Sequence, residues 1–128
     1  MKILMLLAAI LVAVTLSTFA ADKPAKSNRL YHVVSFKFKA DTGKEQIDGV
    51  ITAFRELKKK IPAIHDFSWG TNVSPEKHDK GFTHAFILSF KSEKDRDAYL
   101  VHPDHKAFGA IVGPVLADVF VIDYWAQE

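Results

Sequence analysis

Three segments of this chain alternate strictly between two sets of side chains, a pattern typical of half-buried β-strands. They are LYHVVSFKFK (30–39), GFTHAFILSF (81–90) and DVFVIDYWA (118–126). The faces predicted to point inward carry His32, Val34, Phe36 and Phe38 in the first strand, His84, Phe86, Leu88 and Phe90 in the second, and Val119, Val121 and Asp123 in the third. A strand period of two residues excludes an all-helical fold.

Two helices are predicted between these strands. Thr42-Gly-Lys-Glu45 has the form of a capping box, and an apolar stripe of helical spacing follows it until Pro62. That stripe consists of Ile47, Val50, Ile51, Phe54, Leu57 and Ile61. The second helix begins at Ser92, with Asp95 three residues later, and extends to about Val101.

The remaining segments complete the order of elements. Residues 64–73 predict a weaker strand with a bulge at Gly70, residues 74–81 a charged turn, and residues 102–117 irregular or short helical structure. The resulting order, β-α-β-β-α-β, is that of the ferredoxin-like fold. We therefore predict an α+β domain with an antiparallel sheet, the first and third strands central, and both helices on one face.

The opposite face of this sheet is also apolar. It carries Tyr31, Val33, Ala85, Ile87, Phe120, Ile122 and Tyr124. An exposed apolar surface of this size favours association, so we expect a homodimer that packs sheet against sheet.

The first twenty residues have the form of a signal peptide. Lys2 is followed by an apolar run that is too short to span a bilayer, and small residues precede a cleavage point after Ala20. We expect residues 1–20 to be removed, residues 21–29 to be a flexible lead-in, and residues 30–128 to form one domain. The protein is then exported, to the periplasm or the medium, with no membrane attachment after cleavage.

The charge balance and the absence of a phosphate-binding motif argue against two classes of partner, nucleic acids and nucleotide cofactors. The chain has no cysteine, and its formal net charge is only +2. That balance gives no electrostatic reason to expect nucleic-acid binding. No glycine-rich phosphate loop is present, so the sequence predicts no nucleotide cofactor.

The stretch AYLVHPDHKAFG (98–109) concentrates side chains that can do chemistry. His102, Asp104 and His105 offer metal ligands, but Pro103 biases His102 away from helical backbone, so the two imidazoles are expected to diverge. We therefore predict no metal site. Tyr99 and His105 can instead converge on one cavity, with His105 as a proton acceptor and Tyr99 as a hydrogen-bond donor.

The predicted cavity has two further histidines and an apolar lining. His32 and His84 are expected to project toward it from the first and third strands. The apolar lining is expected to consist of Val34, Phe36, Phe54, Leu88, Phe108, Val119 and Val121. Such a lining with a few polar groups is the general form of a small-molecule site. The alternative is that these histidines and the tyrosine are ordinary core residues with satisfied hydrogen bonds.

Five fragments in order identify a family resemblance. YHVVSFKFK, IPAI, WG, GFTHAFILSF and YLVHPDHKAFG, with Asp123-Tyr124 at the end, resemble the stress-responsive A/B barrel domain (Dabb) family. The resemblance implies a ferredoxin-like protomer in a dimeric α/β barrel. It also implies a likeness to plant polyketide cyclases, which are cofactor-free enzymes.

The cyclase likeness assigns roles by position. It implies that His105 removes a proton next to a carbonyl and that Tyr99 holds His105 and that carbonyl. It also implies that His32 and His84 orient the substrate. Our leading expectation is an exported homodimer that binds a small, largely apolar molecule without a cofactor. The alternatives are a cofactor-independent cyclase or isomerase, and a stress-related protein-interaction module.

Overall fold

The sheet has the predicted strand order. The computed structural model describes residues 28–127, so the predicted signal peptide and most of the lead-in lie outside the described residues. The elements are β1 (Leu30–Phe38), α1 (Lys44–Lys60), β2 (Asp66–Thr71), β3 (His84–Phe90), α2 (Glu93–Leu100), α3 (Pro103–Val112), a 3₁₀ turn (Gly113–Val115) and β4 (Leu116–Trp125). All strand pairs are antiparallel, in the order β2-β3-β1-β4, which confirms the α+β ferredoxin-like prediction with β1 and β3 central.

The core lies between the helices and the predicted inward face of the sheet. Phe54 of α1 is at its centre, with ring centroids 4.6 Å from Phe86 and 4.5 Å from Phe108. The predicted α1 stripe is buried at Val50, Ile51, Phe54, Leu57 and Ile61. Rings at these separations add specific packing energy to the area that they bury.

The start of α1 differs from the prediction by one residue. The N-cap is Gly43, and the side-chain Oε1 of Gln46 accepts a hydrogen bond from the Gly43 amide at 3.1 Å. Thr42 instead donates its hydroxyl to the carbonyl of Val115 at 3.4 Å. The predicted capping box of Thr42 and Glu45 is therefore wrong, because the threonine hydroxyl is used in a tertiary contact. The predicted start of α2 is confirmed, since Ser92 Oγ accepts from the Asp95 amide at 3.1 Å.

The predicted bulge at Gly70 is also wrong. The pairing of β2 with β3 runs without a shift from Asp66–Ser89 to Thr71–His84, and Gly70 lies opposite Ala85. Two small residues facing each other fit a regular ladder at this short edge strand. The irregularity lies between Lys37 and Phe38, where β1 pairs with β4.

Residues 102–117 are more regular than predicted. They form the ten-residue helix α3, then the 3₁₀ turn, and the first two residues of β4. His102 is the N-cap, and its Nδ1 accepts from the Asp104 amide at 3.1 Å, while Pro103 occupies the first turn. Proline suits that position because its missing N–H would have no partner inside the helix.

The second face of the sheet is open and apolar. Ile87 is 38% exposed, and Phe120, Ile122 and Tyr124 are between 46% and 48% exposed. Tyr31 stacks on Tyr124 at a centroid distance of 5.3 Å, so the face is a continuous aromatic and aliphatic surface. Among residues 28–127, no helix has the length and apolar character that a membrane span needs.

Candidate functional site

A cavity of about 250 Å³ lies between the inner face of β1 and β4 and the helices α2 and α3. Its polar side chains are His32 from β1, Tyr99 from α2 and His105 from α3. The apolar lining consists of Val34, Phe36, Phe54, Leu100, Phe108, Gly109, Val112, Leu116, Val119 and Val121. The predicted residues Val34, Phe36, Phe54, Phe108, Val119 and Val121 therefore do meet around one cavity.

His105 is held by the backbone of the preceding helix. Its Nδ1 lies 3.1 Å from the carbonyl oxygen of Leu100. Because a carbonyl can only accept, Nδ1 carries the proton, and in the neutral ring the Nε2 lone pair is free. Burial lowers the pKa of His105; the Leu100 hydrogen bond partly opposes this, and the nearby His32 adds to it. His105 is thus neutral and able to accept a proton at pH 7.

Tyr99 packs directly against that imidazole. Its ring centroid is 4.4 Å from that of His105 and 5.6 Å from that of His32, and the residue is 1% exposed. Within residues 28–127 its hydroxyl forms no hydrogen bond, and no buried side-chain nitrogen or oxygen atom there lacks a partner, so the hydroxyl is an accessible atom that borders the cavity. Burial, and secondarily the charge of Asp123, raises the pKa of Tyr99 well above its ordinary value. The phenol therefore stays protonated and can donate to a molecule in the cavity.

His32 is held by a carboxylate rather than by a backbone carbonyl. Its Nδ1 lies 2.6 Å from Oδ1 of Asp123, and Asp123 Oδ2 accepts from Nη1 of Arg96 at 2.9 Å. His32 lies opposite Asp123 in the β1–β4 pairing, which places the two side chains on the same face of the sheet. His32 is 5% exposed, so the imidazole is buried with its partner in place.

Two predicted members of the site lie elsewhere. His84 pairs with Phe36 in the register of β1 and β3, whereas His32 pairs with Leu88. His84 therefore lies at the far end of the strand pair, where it borders a separate open groove of about 590 Å³ beside the β2–β3 loop. Burial lowers the pKa of His84, and its Nδ1 lies 2.8 Å from the hydroxyl of Thr83.

Leu88 is also absent from the cavity lining. It is fully buried in the core, beside His32 in the neighbouring strand. The prediction that His84 lines the cavity is wrong because alternation identifies the face of a strand and not the position along it. The prediction for Leu88 is wrong for another reason: the cavity borders β1 and β4, whereas β3 lies on the other side of β1.

The lining residues Gly109, Val112 and Leu116 were not predicted, and neither were three residues that hold the two histidines, Asp123, Arg96 and Leu100. Asp123 was placed on the inward face of β4, and a carboxylate on an otherwise apolar face is the signal that could have identified it. Arg96 and Leu100 carry no comparable signal, because their roles depend on tertiary contacts. Leu100 serves through its backbone carbonyl, which any residue would supply.

The two histidines around Pro103 diverge, as predicted. His102 caps α3 through its own ring nitrogen, whereas His105 lies inside the helix and borders the cavity. Within residues 28–127, no group of three or more histidine, aspartate or glutamate side chains is placed to hold a metal ion. The stretch therefore contributes one imidazole to the cavity and one to the helix end.

Comparisons with known proteins agree with this fold. The sequence profile described as "Stress Responsive A/B Barrel Domain" matches residues 30–126. The Arabidopsis thaliana stress-response A/B barrel domain-containing protein HS1 is 36% identical over 93 residues, which cover 73% of this chain and 85% of that protein. Olivetolic acid cyclase of Cannabis sativa is 28% identical over 97 residues, covering 76% and 96% respectively.

Two solved structures are similar over most of their length. The hydroxynitrile lyase of Passiflora edulis has a TM-score of 0.74 and 27% identity, covering 79% of this chain and 95% of that one. A protein of unknown function from Thermobifida fusca, described as dimeric and ferredoxin-like, has a TM-score of 0.67 and 26% identity, covering 77% and 91%. These similarities extend across the region that builds the sheet, the helices and the cavity.

Proposed function

The chain belongs to the stress responsive A/B barrel domain family, and on that premise we propose that its cavity binds a small, largely apolar molecule. The observation that carries this proposal is the cavity of about 250 Å³ in which nine apolar residues and one glycine surround three polar side chains. Cavities of this kind bury the apolar body of a ligand and orient it through a few hydrogen bonds. Burial contributes about 25 cal/mol for each Å² of apolar surface removed from water.

The cavity polar groups define how the ligand is oriented. The ring of Tyr99 lies between 4 and 6 Å from both imidazoles, at 4.4 Å from His105 and 5.6 Å from His32, and all three side chains line the cavity. The hydroxyl of Tyr99 and the free Nε2 atoms of the two histidines are therefore the hydrogen-bonding atoms left for a ligand. A molecule with an apolar body and one oxygen-bearing end fits this distribution.

A cavity-filling variant tests the binding proposal. Gly109 borders the cavity, and a Cβ built there meets no heavy atom within 4 Å. Leucine at this position places four carbons in open space, so we expect Gly109→Leu to weaken binding of 2-naphthol, a neutral aromatic alcohol. Gly49→Leu is the matched control, because Gly49 is also helical and equally open but lies in α1, away from the cavity. Equal affinities in the two variants would contradict the proposal.

A second candidate is cofactor-free acid–base catalysis at the same place. It is favoured by the neutral His105 beside the protonated Tyr99, and by the presence of a cyclase and a lyase among the similar proteins. In such a reaction, Nε2 of His105 takes a proton from the carbon next to a carbonyl. Tyr99 donates a hydrogen bond to the carbonyl oxygen as negative charge develops on it.

Two substitutions test this candidate. Loss of the base in His105→Ala is expected to reduce the rate on an activated carbonyl compound by about 10²–10⁴. Tyr99→Phe keeps the ring and removes only the donor, so its rate should also fall. Rates equal to the wild type in both variants would contradict acid–base catalysis at this site.

We propose that the protein is a homodimer that packs through its open sheet face. The exposed apolar residues of β3 and β4 and the dimeric description of similar structures support this proposal. Phe120→Arg places a charge in the middle of that face and should give a monomer mass by light scattering. Ile111→Arg, at a residue of α3 that is 51% exposed, is the control and should remain dimeric. A wild-type monomer at micromolar concentration would contradict the proposal.

We also propose that the protein is exported. The support is the basic residue, apolar run and small-residue cleavage point in residues 1–20. N-terminal sequencing of the protein from its own host should begin at Ala21. A mature chain that still begins at Met1 would contradict cleavage.

A further inference from the structure

A series of three polar side chains in contact connects the surface of α2 to the cavity. Arg96 contacts Asp123, and Asp123 contacts His32. We propose that Arg96 and Asp123 are positioning residues that hold His32 with its proton on Nδ1, so that the Nε2 lone pair is presented to the cavity. The use of that lone pair by a ligand rests on the proposed function. The position of the proton on the His32 ring can be measured whether or not a ligand binds.

The first link determines which nitrogen carries the proton. The distance from His32 Nδ1 to Asp123 Oδ1 is 2.6 Å, within the range of a hydrogen bond to a charged group. An ionised carboxylate can only accept, so Nδ1 must donate. Because Nδ1 is occupied, Nε2 is the one polar atom of this buried ring that remains for a molecule in the cavity.

The second link holds the carboxylate. Asp123 Oδ2 accepts from Arg96 Nη1 at 2.9 Å, and Arg96 Nε donates to Asp97 Oδ1 at 2.9 Å. A guanidinium has donors only, so it requires an oxygen at the Oδ2 position of residue 123. The side chain of Asp123 is 22% exposed and that of Arg96 is 21% exposed, so both are largely shielded from water. Each oxygen of the Asp123 carboxylate therefore has one partner, Oδ1 with His32 and Oδ2 with Arg96.

The same arrangement occurs at the other histidine. Leu100 holds His105 through Nδ1 and leaves its Nε2 free, just as Asp123 does for His32. In their neutral forms the two rings therefore offer two acceptors, and both rings lie close to that of Tyr99, at centroid distances of 5.6 and 4.4 Å. A ligand with a hydroxyl donor meets this pattern better than a carboxylate, which brings only acceptors.

Asp123→Asn is the decisive substitution because Arg96 determines how the new amide is oriented. The guanidinium still requires an oxygen, so the amide NH₂ group must face His32. An NH₂ group can only donate, and His32 can accept on Nδ1 only when its proton is on Nε2. The substitution is therefore expected to move the proton from Nδ1 to Nε2 with little change in shape.

The experiment is ¹H–¹⁵N correlation NMR of the imidazole nitrogens at pH 8, on protein purified after expression of the full chain. We expect the Nδ1–H form of His32 in the wild type and the Nε2–H form in Asp123→Asn. Asp97→Asn is the matched control, because it removes the other carboxylate of Arg96 and should leave His32 as in the wild type. An Nε2–H form in the wild type, or an unchanged ring in Asp123→Asn, would overturn the inference.

Substitutions of Arg96 provide a separate test, which remains possible if the Asp123→Asn variant does not fold. Arg96→Met leaves Asp123 free to turn, so the Nδ1 proton of His32 should exchange with water at least several-fold faster. Arg96→Lys should restore part of the protection. Wild-type exchange in Arg96→Met would remove Arg96 from the positioning pair. Failure of 2-naphthol to bind a protein with the expected His32 state would instead contradict only the proposed function.

Discussion

Replacing Tyr99 with phenylalanine distinguishes a hydroxyl kept for function from one kept for stability. The ring of Tyr99 packs against Phe90 and His105 at centroid distances of 5.3 and 4.4 Å, and phenylalanine keeps both contacts. The hydroxyl borders the cavity and forms no hydrogen bond within residues 28–127, so its removal leaves no other polar group unsatisfied. A hydroxyl kept for stability would be expected to have a hydrogen-bond partner inside the protein.

The magnitude follows from that difference. Loss of a formed hydrogen bond costs about 0.5–1.5 kcal/mol, and an orphaned partner adds about 1–3 kcal/mol. Neither cost applies here, so Tyr99→Phe should change the free energy of unfolding by less than about 0.5 kcal/mol or raise it. Tyr99→Ala removes the ring as well and should cost about 3–5 kcal/mol, the range for deleting a buried aromatic side chain.

Two assays measure this separation at one fixed protein concentration. Urea unfolding can be followed by the fluorescence of Trp69 and Trp125, and binding by titration with 2-naphthol and 2-methylnaphthalene. One lost hydrogen bond should weaken 2-naphthol binding by about threefold to tenfold. Binding of 2-methylnaphthalene, which has no hydroxyl, should not change. Destabilisation by more than about 1.5 kcal/mol in Tyr99→Phe, with unchanged binding, would refute the reasoning.

Further predictions concern the helices and the effect of pH. Gly109→Ala should raise the free energy of unfolding by about 0.5–1 kcal/mol, as should Gly49→Ala, because both positions are helical and open. Urea unfolding measures this change, and a lower free energy of unfolding in Gly109→Ala would contradict the open space at that position. Because burial lowers the pKa of His105, the folded protein binds fewer protons than the unfolded chain below about pH 6.5. The stability that depends on this neutral ring is complete above that pH and is lost as the pH falls toward the lower folded pKa. His105→Gln should therefore reduce the loss of stability between pH 8 and pH 5, while His84, whose pKa is lowered in the same direction, keeps its own part; an unchanged slope would contradict the assignment.

The elements were predictable from sequence because their signals are local. Alternation in 30–39 and the stripe from Ile47 to Ile61 each report a face that one neighbouring element covers. The pair of Tyr99 and His105 was also predictable, since six residues across one helix junction bring them together. Local patterns do not contain strand register, which is a long-range property of the chain.

The error at His84 and the missed role of Asp123 have that physical origin. His32 and His84 occupy equivalent places in their own strand patterns, but antiparallel pairing sets His32 opposite Leu88 and His84 opposite Phe36. The same pairing rule places Asp123 opposite His32, which no spacing within β4 indicates. Register therefore removed one predicted histidine from the cavity and supplied the carboxylate that orients the other.

The central claim, that the cavity holds a small molecule, is tested most directly by native mass spectrometry of the protein purified from its own host. We expect the wild type to retain a small organic molecule. The Gly109→Leu variant, purified in parallel, should lose it, and Gly49→Leu should keep it. A wild-type protein of the bare polypeptide mass, or a bound molecule retained equally by Gly109→Leu, would contradict the claim.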